Sequence, residues 1–446
     1  MSQPTVDLNQ RLQELHLQFV LVSFTDLFGI QRAKLVPASV APAMARDGAG
    51  FAGFAAWLDL SPADGDVLAV PDPASLTALP WQSGVGWMAA ELTLNGEPMA
   101  QCPRRLLRHQ QQRAASMGFE LRSGVEAEFF LLTPDGAAIA DPADHQEKPC
   151  YDQLALMRRF SLIGPLLTAM EQLGWGPYQA DHEDANGQFE INWTFADALT
   201  TADRHAFFKV MVKAMAEQQG LRASFMAKPF AALTGNGCHT HLSLWSTEEP
   251  GEQSNQAGRN LFHDAGGELG LSTLAYQFIA GLIAHAPALC AITNPTVNSY
   301  RRLAAPPTTS GATWSPGGIS YTGNNRTHMV RIPDDQRLEL RLPDGSAHPY
   351  LLQAAVLAAG LDGITRQLDP GPRRDNDNYA HPLGLDQCQR LPADLGEALD
   401  AFAADTQLRQ ALGEGFCNAY EHLRRRQWQR ERGDISDAER RLSLDC

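Results

Sequence analysis

The run Gly124-Val125-Glu126-Ala127-Glu128-Phe129-Phe130-Leu131-Leu132 constrains this chain more than any other segment. Its apolar residues read as a core strand, and a strand's period of two puts Glu126 and Glu128 on one face. Two like charges on a core strand are costly unless cations neutralise them. A solvated strand face is the simpler alternative, and the neighbours Val125 and Phe129 to Leu132 weaken it.

Three further clusters carry the same theme. Asp181-His182-Glu183-Asp184 and Gln188-Phe189-Glu190 flank an Asn186-Gly187 turn. Gly235-Asn236-Gly237-Cys238-His239-Thr240-His241 presents two imidazoles on one strand face after a glycine-rich turn. Arg337-Leu338-Glu339-Leu340-Arg341 alternates Arg, Glu and Arg on one face. Singly each has a bland explanation. Together they supply several carboxylates and an imidazole on strands, and oxygen-rich ligation with one nitrogen suits Mg²⁺ or Mn²⁺ better than zinc.

The window from 269 to 333 contains no Asp or Glu, where the chain's average density would place about seven. It holds Arg301, Arg302, Arg326 and Arg331, and Arg337 and Arg341 follow directly. Forked guanidinium groups without competing carboxylates suit binding of carboxylate and phosphate. Metal-binding carboxylates beside an anion-binding Arg set point to phosphoryl transfer between anionic substrates.

The chain has 446 residues, 36 Lys+Arg against 51 Asp+Glu, and a net charge of −15, which argues against nucleic acid or an anionic membrane as partner. Its seven cysteines (102, 150, 238, 290, 388, 417, 446) are scattered and unpaired in spacing, as in a reduced compartment. No signal-peptide pattern opens the sequence, and the apolar stretch from Tyr276 to Ile292 carries Gln277, His285 and Pro287, so a cytoplasmic protein with a core helix there is expected. Residues 10–100 read as short strands and turns, Phe19–Phe24 and Arg32–Val36 among them, in a small domain closing near Pro98–Pro103. Beyond it an α+β pattern is expected. Helices are placed at Arg104–Met117, Leu154–Leu173, Arg204–Gln219, Tyr276–Cys290 and Pro349–Leu361, strands at Phe119–Leu132, Phe189–Phe195, Cys238–Trp245 and Val330–Leu342. A surface loop runs from Ser246 to Glu268, and the charged stretch Leu391–Arg432 reads as helix.

With these residues assembled, the sequence resembles the glutamine synthetase family over about Phe19 to Tyr420. The resemblance lies in GVEAEFF, DHEDANGQFEIN, GNGCHTHLSLW, NPTVNSYRRL, NNRTHMVRIP and RLELRLPDGSAHPYLLQAAVLAAGLDGI. It implies an N-terminal β-grasp domain (1–103) and a catalytic domain (104–446) with a curved antiparallel sheet. It also implies a dodecamer of two hexameric rings, and a reaction in which ATP and glutamate give γ-glutamyl phosphate for attack by an amine. By resemblance Glu128, Glu183 and Glu190 hold the metal nearer glutamate, and Glu126, His239 and Glu339 the metal on the ATP phosphates. Gly235 approaches glutamate, and Arg302 grips its α-carboxylate. Arg326 and Arg341 neutralise the phosphoryl group. Phe195, His241, Ser243, Arg331 and Arg337 fall on the ATP side, Arg331 alternatively at the transferred phosphoryl.

Three departures bear on the amine. Ammonia-using relatives carry a flap Glu shortly after the Ser-Tyr-basic-Arg run; here LAAPPTTSGATWSPGGISYTGNN follows, without a carboxylate. Their N-terminal domain also carries an Asp where AGFAGFAAW leads into Trp57 here. His348 stands where Asn is usual. The resemblance is to the γ-glutamylmethylamide synthetase branch, so methylamine is the expected acceptor, with ammonia as the alternative and a non-catalytic ligand-binding regulator as a second.

Overall fold

The computed structural model describes residues 7–247, 258–382, 384 and 387–443. Three sheets organise them. The first has seven strands in the order Gln31–Pro37, Phe19–Thr25, Val85–Leu94, Val67–Pro71 and Ala49–Phe51, with Thr77–Ala78 and Glu97–Pro98 also on Val85–Leu94. Phe19–Thr25 runs antiparallel to Gln31–Pro37 and parallel to Val85–Leu94, and helix Ala41–Asp47 lies against Val67–Pro71. This is the β-grasp arrangement expected. The hairpin turns where Asp26 Oδ1 accepts from the Phe28 and Ile30 amides at 3.0 and 3.1 Å, with Gly29 at φ +83°. The helices Leu8–Glu14 and Ala41–Asp47 fall where only strands and turns were expected; each has 7 residues, too few for helical periodicity to stand out.

The second sheet is antiparallel, in the order Pro177–His182, Gln188–Trp193, Phe129–Leu132, Arg222–Ser224. The third has six strands, in the order Ala196–Asp197, Phe119–Ala127, Cys238–Ser246, Arg337–Leu340, Val330–Asp334, Tyr321–Thr322. Its pairs are antiparallel except the last, which is parallel. The sheet is curved and nearly closed.

The expected strand from Phe119 to Leu132 is two strands that belong to different sheets. The chain crosses between them at Glu128, whose amide bonds to the Gly237 carbonyl at 3.2 Å. Val330–Leu342 is likewise a hairpin, turned where Asp334 Oδ1 accepts from the Gln336 amide at 3.0 Å. The expected Leu154–Leu173 helix divides at Arg159 into Gln153–Arg158 and Phe160–Gln172. Only part of the expected Ser246–Glu268 loop lies in the described residues.

Behind the sheets, helices Thr273–Thr293 and Pro349–Thr365 pack against each other. An ideal Cβ on Gly281 would sit 2.1 Å from the Ala359 carbonyl oxygen, and one on Gly363 2.1 Å from that of Gln277, so glycine is what lets the two backbones touch. Thr273–Thr293 is long and apolar enough to cross a membrane, yet most of it is buried here, as a core helix.

Candidate active site

Strand register puts the chemistry-bearing residues in rows. His239 lies opposite Glu126, His241 opposite Glu339, and Glu339 opposite Arg331. Glu126 reaches His241 Nε2 at 2.8 Å and His239 Nδ1 at 3.3 Å, and His239 Nδ1 is 3.8 Å from Glu339. Arg337 Nε donates to His241 Nδ1 at 3.1 Å, so that nitrogen is an acceptor and Nε2 carries the proton given to Glu126. Glu339 pairs with Arg331 at 2.7 Å and with Arg341. Burial works against ionisation of Glu126 and Glu339. The neighbours outweigh it: the imidazoles of His241 and His239 hold Glu126 well below the usual carboxylate range, and Arg341 with the two imidazoles brings Glu339 to about 2.

Across the seam the balance reverses. Burial, together with the charges of Glu128, Asp181 and Glu126, pushes Glu183 well above the ordinary carboxylate value, and burial with Glu126, Glu183 and Glu128 does the same to Glu190. Among the described residues no arginine forms an ion pair with either. Glu128 is buried, its Oε2 accepting from Gln188 Nε2 at 2.9 Å and from the Gly237 amide at 2.7 Å. A Cβ on Gly237 would meet Glu128 Oε1 at 2.9 Å, His239 Nε2 at 3.0 Å and Arg302 Nη2 at 3.2 Å. Those three atoms therefore converge on one cradle, and only glycine leaves it open.

Two groups offer ligand atoms within 4.8 Å of one another, Glu126 with His241 and Glu339, and Asp181 with Glu183 and Glu190. His241 and Asp181 thus stand in these groups beside residues singled out for metal binding, while His239 and Glu128 face the Gly237 cradle. His239 Nε2 is buried and has no hydrogen-bond partner among the described residues. An orphaned imidazole nitrogen beside self-repelling carboxylates fits divalent cations.

The arginines divide by environment. Arg302 is 1% exposed, and its guanidinium donates to the carbonyls of Leu342 at 3.1 Å, Trp314 at 3.3 Å and Arg341 at 3.4 Å. Among the described residues no carboxylate forms a direct ion pair with it, and Asp344 and Glu128 offset its charge only from a distance. Gly235 lies against its stem, where a Cβ would sit 3.1 Å from Arg302 Cγ and 2.3 Å from the Ala227 carbonyl oxygen. Arg341 is buried, with Nε and Nη2 unpartnered among the described residues. Arg326 is exposed, and its carbonyl accepts from Tyr379 Oη at 3.2 Å. Phe195, in the link before strand Ala196–Asp197, stacks 6.3 Å from Trp245, which Arg122 caps at 4.2 Å and which donates to Ser243 Oγ at 2.9 Å. Trp245 received no role from the sequence, although Ser243 and Trp245 continue the His239–His241 alternation.

A further residue was legible only as one acid in a cluster. Asp184 Oδ2 accepts from Trp314 Nε1 and Ser310 Oγ, each at 2.6 Å, and from Thr308 Oγ1 at 3.1 Å. The acid-free segment after Arg302 thus folds back onto a buried carboxylate next to Glu183.

Residues 100–443 match the family model described as the glutamine synthetase catalytic domain. The chain belongs to the glutamine synthetase family. It is 52% identical over 442 residues to a protein named glutamine synthetase from Rhizobium leguminosarum bv. phaseoli, covering 99% of this chain and 100% of that one. It is 42% identical to a glutamate–methylamine ligase from Methyloversatilis universalis, covering 96% and 97%. A solved structure described as a GmaS/ADP complex superposes with TM-score 0.93 at 58% identity, covering 99% and 100%. Glutamine synthetases use ATP and divalent metals, and the chain is a carbon–nitrogen ligase.

Proposed function

We propose that this chain is an ATP-dependent γ-glutamyl-amide ligase whose acceptor is methylamine. The observation that carries this reading is the flap. Residues 304–325 contain no carboxylate of their own and are fastened to Asp184 through Thr308, Ser310 and Trp314. The methylamine-ligase and GmaS relatives support it.

In this reading Arg302 and the Gly235 backbone hold the glutamate α-carboxylate. The unpartnered nitrogens of Arg341, with Arg326, receive the phosphoryl group as the γ-carboxylate oxygen attacks the γ-phosphorus and ADP leaves. Glu128, Glu183 and Glu190 would hold one divalent ion, with Asp181 in reach. Glu126, His239 and Glu339 would hold another, Mg²⁺ or Mn²⁺, with His241 in reach. Bound there, the ions neutralise phosphate and carboxylate charge. Phe195 and Trp245 stack the adenine, with His241, Ser243, Arg331 and Arg337 along the phosphates. Asp184 takes the proton of the incoming ammonium group, and the freed amine displaces phosphate from the γ-carbonyl.

Methylammonium is less strongly hydrated than ammonium. Its methyl gains roughly 0.8 kcal/mol on burial, and the Trp314 face adds about 0.5–1 kcal/mol. Together these favour methylamine by about tenfold. Ammonia is the second reading, favoured by the relative from Rhizobium leguminosarum bv. phaseoli. Turnover with each amine, compared as free base at fixed ATP and glutamate, decides: a kcat/KM ratio at or below one gives the site to ammonia. The division at residues 103 and 104, a cytoplasmic setting and assembly into a dodecamer complete the proposal.

A further inference from the structure

A cavity of about 780 Å³ opens between the turn Phe28–Gln31, the end of helix Ala198–Glu217 and the strand Arg222–Ser224. None of the carboxylates of the metal groups lines it. Its charges come from Lys209, Lys213 and Arg222, against Asp135 and Glu217. Asp135 is turned into its own loop, accepting from Thr133 Oγ1 at 2.6 Å and the Ala137 amide at 3.0 Å. Glu217 offsets Lys213. A cavity with a cationic excess is out of keeping with a chain of net charge −15.

Lys209 is the least compensated of these cations. It is half-buried, its Nζ donates to the Ala347 carbonyl at 3.0 Å, and no carboxylate pairs with it among the described residues. Burial brings its ammonium down to about 8; Cys238 and Asp344 oppose that shift and Lys213 adds to it. The Phe225 ring lies between the two lysines, 5.5 Å from Lys209 Nζ and 5.8 Å from Lys213 Nζ. Lysine ammoniums are compact point charges that suit phosphate and carboxylate oxygens. Phe28 and Met226 give the body of a ligand an apolar wall, and the volume is that of a small-molecule site.

We propose that this cavity binds a small molecule bearing a phosphate or carboxylate group on Lys209, Lys213 and Arg222, apart from the catalytic centre. Its back wall touches that centre through one residue. Asn236 Nδ2 donates to the carbonyls of Ser224 and Met226 at 3.1 and 2.8 Å, while its Oδ1 accepts from Gln188 Nε2 at 2.9 Å. Gln188 is the same side chain that holds Glu128. An occupant of the cavity therefore rests against the segment Ser224 to Met226, which Asn236 ties to the loop that carries Gly235 and Gly237.

Calorimetric titration of inorganic phosphate, and separately of succinate, into the full-length protein tests this, with Mg²⁺, a non-hydrolysable ATP analogue and glutamate present to fill the catalytic anion sites. The anion with the tighter binding identifies the source. Arg302→Lys is expected to keep this binding within twofold. Lys209→Met, and the exposed pair Lys213→Gln with Arg222→Gln, are each expected to weaken it at least tenfold. If Lys209→Met fails to fold, the surface pair decides alone. Heat from neither anion at millimolar concentration, loss in Arg302→Lys, or binding unchanged in the cavity variants would overturn the proposal.

Discussion

Trp314 Nε1 donates to Asp184 Oδ2 at 2.6 Å, while the Trp314 carbonyl accepts from Arg302 Nη2 at 3.3 Å. One flap residue thus joins the carboxylate proposed to take the amine proton to the guanidinium proposed to grip glutamate. Its backbone sits at φ +56°, a conformation a bulky side chain adopts only where its surroundings hold it.

That link gives the first prediction. Asp184→Asn keeps an acceptor for Trp314 but loses the base, so turnover with methylamine falls by about 10²-fold, the lower range for general-base catalysis. Hydroxylamine, already unprotonated at neutral pH, should suffer far less. A rate assay with both nucleophiles checks it; equal losses would make Asp184 structural only.

Metal dependence follows from the crowded carboxylates. Glu183 and Glu190 repel their neighbours in a buried setting, so turnover should require Mg²⁺ or Mn²⁺ and stop in excess chelator. Glu128→Ala should abolish turnover while circular dichroism stays close to that of the parent. Substantial activity in either experiment sinks the metal assignment.

Arg302→Lys keeps the charge and loses the fork. The glutamate KM should rise at least tenfold with the ATP KM within twofold. Initial-rate kinetics with each substrate varied in turn separates the two, and an unchanged glutamate KM removes Arg302 from the substrate site.

Stability should depend on pH through a histidine remote from the catalytic residues. His285 is buried with Nδ1 2.6 Å from Asp405 and Nε2 2.9 Å from Asp362. Burial lowers its pKa, but the two carboxylates outweigh it and raise the imidazole above its ordinary value of 6.5. Its stabilising contribution is therefore whole below pH 6.5 and fades as pH rises through the raised folded-state value. Urea unfolding should show His285→Gln less stable than the parent by about 1.5–3 kcal/mol at pH 6, the worth of hydrogen bonds to charged groups. The gap should narrow as pH rises; a constant gap would mean that His285 contributes only packing.

Much of this protein was legible in one dimension. Carboxylates at period two in GVEAEFF, paired histidines after a glycine-rich turn and an arginine-rich window without acids state their chemistry locally, because strand geometry alone decides which side chains share a face. Family membership was legible for the same reason, since its motifs are short runs on single strands and turns. Tertiary structure decided what depends on how those strands pack. Glu126 and Glu128 read as neighbours on one strand face, yet the chain changes sheets at Glu128, so one joins the histidines and the other the Gly237 cradle. His241 gained its place beside Glu126 through pairing with a strand far away in sequence, whereas Asp181 stands opposite Glu190 across a local hairpin. Asp184 acquired a role only because a flap more than 120 residues later folds back onto it. Hydrogen bonds between segments so distant leave no periodicity in either one, so no local pattern could have announced them.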